Sequence, residues 1–143
     1  MIDPAFAAFV EKNWLLVLVF LMSGSMLIVP LVMRRFSKGK NVGNLEATVL
    51  MNRKNALVVD VRETREYENG RLPGATHIPL SQLPARAAEL AKHAARPVIA
   101  YCARGQRSRM AASSLAKAGF SEIYHLNGGI DAWRAAGLPL ERG

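Results

Sequence analysis

The sequence predicts an α/β domain built on a central parallel sheet flanked by helices, preceded by one amino-terminal transmembrane helix. Three observations carry this expectation. Short apolar runs alternate with helical patterns across residues 44–143, and such alternation gives parallel strands with helices packed on the sheet faces. Two of the runs, Ala56–Asp60 and Pro97–Tyr101, are apolar almost throughout instead of at every second position, as suits strands buried on both sides. Ahead of them stands a twenty-residue stretch without a charge, Trp14–Met33.

At 1.5 Å per residue that stretch spans roughly 30 Å, the hydrocarbon thickness of a bilayer. A domain this small could hardly enclose a helix apolar on every face. A cleaved signal peptide fits poorly, because Asp3, Glu11 and Lys12 precede the run and no small-residue cleavage site precedes Arg34. A retained anchor is the expectation. Arg34, Arg35, Lys38 and Lys40 follow the run and only Lys12 precedes it, so the carboxyl side is expected in the cytoplasm and the amino terminus outside. Ser23-Gly24-Ser25 offers a close-packing face for a membrane-protein partner. The chain then divides into a short amino-terminal segment (1–13), the membrane helix (14–33), a basic Gly-containing linker (34–43) and the domain (44–143).

Within the domain, Leu45–Arg53 reads as a helix capped by Asn44. Ala56–Asp60 is a central strand ending in an acid. A short helix over Arg65–Asn69 stops at Gly70, and Arg71-Leu72-Pro73-Gly74 is a turn. Ala75–Pro79 reads as a brief strand. Leu83–His93 is an alanine-rich helix with Leu83, Ala87, Leu90 and Ala94 near helical spacing. Pro97–Tyr101 is the next strand, Arg109–Ala118 a helix stopped by Gly119, and Glu122–Leu126 the last strand. Gly128-Gly129 opens a final helix, Ile130–Ala136.

The net charge of +8 divides into +3 over residues 1–40 and +5 over 41–143. The charges are scattered, with no basic stripe interleaved with aromatics, which argues against nucleic acid. One cysteine excludes an internal disulfide and a multi-thiolate zinc site. His77, His93 and His125 lack ligand-like spacing, so no metal and no cofactor is expected.

The single cysteine sits in Tyr101-Cys102-Ala103-Arg104-Gly105-Gln106-Arg107-Ser108, between a predicted strand and a predicted helix. Lone cysteines often serve as small buried hydrophobes. Here a strand–loop–helix turn aims successive amides and a helix N-terminus at the thiol, and Arg104 and Arg107 add positive charge. That environment favours a reactive thiolate. Asp60 and Cys102 each end a strand, the edge where parallel sheets place their ligand sites; Asp60 reads equally well as a structural acid. With no second cysteine, whatever Cys102 picks up must leave to another molecule.

Four stretches in order, Val58–Glu63, Gly70–Leu80, the Tyr101–Ser108 loop and Leu126–Trp133, resemble the rhodanese-like sulfurtransferases over roughly residues 44–140. One departure is Gly70-Arg71-Leu72-Pro73-Gly74, where that family usually has Gly-His-Ile-Pro-Gly. The resemblance implies that Cys102 takes sulfane sulfur from a small donor, thiosulfate or a persulfide, and passes it to a thiol or protein acceptor. It implies that the loop amides from Ala103 through Arg104, Gly105 and Gln106 to Arg107 stabilise the persulfide, that Arg104 and Arg107 attract the sulfonate end of a donor, and that Asp60 and Arg62 brace the loop. The anchor resembles that of single-domain rhodaneses tethered to the bacterial inner membrane. Cell-cycle phosphatases share the fold but place one residue more between cysteine and arginine; the four residues Ala103–Gln106 favour sulfur over phosphorus. The alternative is a membrane-tethered binding or scaffold module.

Overall fold

The structure, a computed structural model, describes residues 2–35 and 39–143, with side chains described outside residues 30–35. The chain forms two compact units, Met1–Ser37 and Lys38–Gly143.

In the first unit, α1 (Pro4–Lys12) starts where Asp3 accepts a hydrogen bond from the Ala5 amide at 2.9 Å and Pro4 presets the first helical φ. It ends at Asn13, whose side-chain amide donates to the Phe9 carbonyl at 2.8 Å. After this break, α2 runs Trp14–Arg35, and Phe20 and Leu27 on it are exposed. Among the described residues, no single helix is long and apolar enough to cross a membrane. Pro4–Lys12 and Trp14–Val29 meet that requirement only together, bent by 86°. The stretch read as the span, Trp14–Met33, is helical throughout.

In the second unit the elements are β1 (Lys40–Val42), α3 (Asn44–Arg53), β2 (Leu57–Asp60), α4 (Thr64–Glu68), β3 (Thr76–His77), α5 (Leu83–Arg86), β4 (Val98–Tyr101), α6 (Gln106–Lys117), β5 (Ile123–Leu126) and α7 (Gly129–Ala135). The strands form one parallel sheet in the order β1-β5-β4-β2-β3. In register, Asp60 lies beside Tyr101 and Val59 beside Ala100.

Period-two alternation sends successive residues of each buried strand to opposite faces. Leu57, Val59, Val98, Ala100 and Cys102 pack with Leu83, Ala111 and Leu115 of α5 and α6. Val58, Ile99 and Tyr101 pack with Ala47, Leu50, Ile130 and Trp133 of α3 and α7. Both faces are covered, which explains why β2 and β4 are apolar almost without interruption.

Four expectations are corrected here. The linker read over 34–43 falls partly on residues 36–38, outside the described set, but its end is strand: Lys40–Val42 pairs with Tyr124–Leu126. Asn44 is not a cap. Gly43 holds that position, and the Asn44 side chain donates across to the Ala132 carbonyl at 3.2 Å, tying α3 to α7. The helix expected over Leu83–His93 is α-helical only to Arg86 and then tightens into a 3₁₀ helix, Ala87–His93. The spacing of its buried residues shortens accordingly, from four (Leu83 to Ala87) to three (Ala87 to Leu90). Finally, α6 begins at Gln106, three residues before the expected start. Gly105 takes φ +107°, a left-handed turn that glycine makes at little cost, and this lets the chain enter the helix early.

Candidate active site

Cys102 follows the last residue of β4, so the strand fixes its position and the turn into α6 surrounds it with amides. The Gly105 N–H donates to Sγ at 3.0 Å, and the Ser108 hydroxyl lies 3.9 Å from Sγ while donating to the Gly105 carbonyl at 3.1 Å. Burial pushes the thiol up, but the amides of Ser108, Gly105 and Arg104 and the Ser108 hydroxyl outweigh it, leaving the thiol below its ordinary value. Only 1% of Cys102 is exposed. It is reached through a 320 Å³ pocket lined by Cys102, Ala103, Arg104, Gln106, Arg107 and Asp131. That volume lies at the small end of ligand sites, so the electrophile must be a compact or protruding atom.

The carbonyl side of the loop is held by α7. The Ile130 and Asp131 amides donate to the Cys102 and Ala103 carbonyls at 2.9 and 3.1 Å. This contact needs Gly129, at φ +59°, where a Cβ would collide with the Cys102 carbonyl oxygen and stand 2.5 Å from that of Ala103. The Cys102 and Ala103 carbonyls therefore turn toward α7 while the Arg104, Gly105 and Ser108 amides turn toward sulfur.

Of the residues singled out in the sequence, Gly105 touches the sulfur and Arg104 contributes its amide. Ala103 is anchored through its carbonyl, and Gln106 is exposed in the first turn of α6. The Arg104 guanidinium is largely exposed, 3.7 Å from Asp131. Arg107 is not a free cation: its two terminal nitrogens each donate to a Glu66 carboxylate oxygen at 2.8 Å. The hydrogen bonds from Arg107 take the Glu66 carboxyl down to about 2. Glu66, and then the Cys102 sulfur, raise Arg107.

Asp60 and Arg62 do not reach the sulfur. They form a buried network on the opposite face, in which Arg62 bonds both Asp60 oxygens at 2.7–3.1 Å and donates to the Gly70 carbonyl at 2.6 Å. The Tyr101 hydroxyl donates to Asp60 at 2.6 Å and accepts from the Leu72 amide at 3.1 Å. Any bracing passes through Tyr101, the residue before the cysteine. Burial, reinforced by Asp60, pushes the Tyr101 hydroxyl up, so it stays a donor.

Glu66, Ser108, Gly129 and the Tyr101 hydroxyl were missed as site residues. Tyr101, Ser108 and Gly129 lie inside stretches singled out in the sequence, the Tyr101–Ser108 loop and Leu126–Trp133, and Ser108 is the polar start of an otherwise small and apolar helix stripe; Glu66 lies in none of those stretches. Among the described residues, no group of His, Cys, Asp or Glu is arranged to hold a metal ion.

The sequence matches the rhodanese-like domain over residues 44–136. It is 36% identical over 108 residues to the uncharacterized protein YibN of Escherichia coli (strain K12), covering 75% of this chain and 76% of that one. It is 36% identical over 91 residues to a sulfurtransferase of Allochromatium vinosum, covering 64% and 83%. The crystal structure of a thiosulfate sulfurtransferase from Pseudomonas aeruginosa superposes with a TM-score of 0.64 at 33% identity, over 73% of this chain and 20% of that longer one. With its parallel sheet, its cysteine at a strand end and its amide-lined turn, the chain belongs to the rhodanese-like domain family.

Proposed function

We propose that this protein is a membrane-anchored sulfurtransferase working through a persulfide on Cys102. The observation that carries the reading is the thiol itself: lowered below its ordinary value, in hydrogen-bond contact with the Gly105 amide, on the floor of a small pocket. In the first half-reaction the Cys102 thiolate attacks the outer sulfur of the donor. A bond forms between Sγ and that sulfur, and the donor's own S–S bond breaks. Its electron pair leaves on sulfite, if the donor is thiosulfate, or on a thiolate, if it is a persulfide. The outer sulfur of the new persulfide then meets the Arg104–Ser108 amides, which act as an oxyanion hole does. In the second half-reaction an acceptor thiolate attacks that outer sulfur and the Cys102 thiolate departs. No redox partner is required.

The anchoring rests on the sequence: the twenty uncharged residues 14–33 would hold the protein as a single-pass helix in the inner (cytoplasmic) membrane, and the Lys and Arg residues after them would keep the catalytic domain in the cytoplasm. A chain beginning at Asn41 would lose part of β1, so full-length protein in detergent micelles is the material for the test. Intact mass after incubation with thiosulfate, or with an organic persulfide, should rise by one sulfur atom. Cyanide should remove the gain, and Cys102→Ser should abolish it. A folded chain with a free thiol that accepts sulfur from neither donor sinks the catalytic reading and favours a tethered binding module. Protease accessibility in sealed vesicles checks the anchor and its orientation.

A further inference from the structure

We infer that Glu66 is a specificity-determining residue that turns the site away from the dianion thiosulfate and toward hydropersulfides, R–S–SH. The inference rests on the sulfur-transfer reading above and narrows its donor. The pocket holds two guanidinium groups, and neither is free. Arg107, the inner one, is matched oxygen for nitrogen by Glu66 at 2.8 Å. Arg104, the outer one, is 87% exposed and stands 3.7 Å from Asp131, which is also 3.8 Å from Arg134. A doubly charged donor entering this pocket meets an inner cation already neutralised and an outer one lying in solvent, where salt screens it. A hydropersulfide is attacked in its protonated form, which carries no charge at its reacting end, and even its anion carries one charge where thiosulfate carries two, so it loses less by the pairing. Its transfer balances: the Cys102 thiolate attacks the terminal sulfur, the R–S–S bond breaks, the electron pair leaves on RS⁻, and the proton stays on the transferred sulfur.

Glu66 acts through Arg107 and is a positioning residue. Its other role is to accept from the Glu63 amide at 2.9 Å in the first turn of α4, and glutamine retains an oxygen for that bond. Glu66→Gln therefore removes charge and leaves the helix cap. The experiment measures kcat/KM of the full-length chain in neutral detergent, with thiosulfate and with cysteine hydropersulfide generated in situ, using cyanide as acceptor. Wild type should prefer the hydropersulfide. E66Q should gain about tenfold with thiosulfate, through KM. That is the order expected for one unit charge acting on a dianion a few ångströms away in a water-like dielectric. Compared at a pH above the Cys102 alkylation midpoint of both proteins, the gain should fade as salt is raised, and the hydropersulfide value should change several-fold less than the thiosulfate value. The double variant E66Q/R107Q should return thiosulfate to the wild-type level, and the alkylation profile of Cys102 should move to lower pH in E66Q. Equal changes with both donors would make the ion pair merely structural and overturn the inference. So would a wild type that prefers thiosulfate, a result that needs no variant to fold. If wild-type Cys102 loads from neither donor, the sulfur-transfer reading itself has failed.

Discussion

Tyr101 and Cys102 are adjacent at the end of one strand, and they face opposite sides of the sheet. On the Tyr101 side, Asp60, Arg62 and the tyrosine hydroxyl are buried and satisfy one another side chain to side chain. On the Cys102 side the thiol is held by backbone amides, and no described carboxylate or histidine is bonded to it. The first arrangement has no reactive group left over. The second leaves one nucleophile stabilised as its anion and open to a pocket. Strand alternation thus separates a fixed scaffold from a reactive centre by a single peptide bond.

The sharpest way to break this comparison is to remove a charge from the scaffold side. Asp60→Asn leaves the Arg62 guanidinium, 5% exposed in its side chain, without its counter-charge. Breaking a buried pair of this kind costs about 3–5 kcal/mol. Denaturant unfolding should show a loss of that order, while the alkylation midpoint of whatever Cys102 remains folded stays near its wild-type pH. A shift in that midpoint as large as the stability loss would mean that the two faces are not separate.

The next largest effect lies on the reactive side. Gly129→Ala forces a side chain against the Cys102 and Ala103 carbonyls at a positive φ, with strain of about 1–3 kcal/mol. The loop must shift, so sulfur loading should fall at least about tenfold with only a moderate loss of stability. Wild-type loading in G129A would show that α7 does not set the loop.

These two experiments separate what was legible in the sequence from what was not. Cys102, Gly105 and the strand that ends at Asp60 lie in patterns a few residues long, and the sequence reading located them. Glu66 meets Arg107 across forty-one residues, and Gly129 meets the loop from the far end of the domain. Neither contact leaves a local signature; only the packing of α4 and α7 at the sheet edge creates them. The β1 strand was invisible for another reason: of its three residues only Val42 is buried, so its sequence is polar and reads as a linker.

The smallest effect sharpens the comparison through pH. His125 on β5 is 2% exposed, and neither ring nitrogen has a hydrogen-bond partner among the described residues. Burial lowers it from 6.5; the Ser108 backbone opposes and the charge of Arg109 adds to the lowering. The unfolded chain therefore takes up a proton near pH 6.5 that the folded chain resists. This contribution is fully present above pH 6.5 and is lost as pH falls below it, at up to about 1.4 kcal/mol per pH unit until the folded group titrates. Glu66 has the same sign in a separate window: its contribution disappears only as pH falls from 4.5 toward about 2. Unfolding midpoints between pH 7.5 and 5.5 thus report His125 and not the ion pair at the pocket. His125→Phe should flatten that slope, and an unchanged slope would assign it to another group.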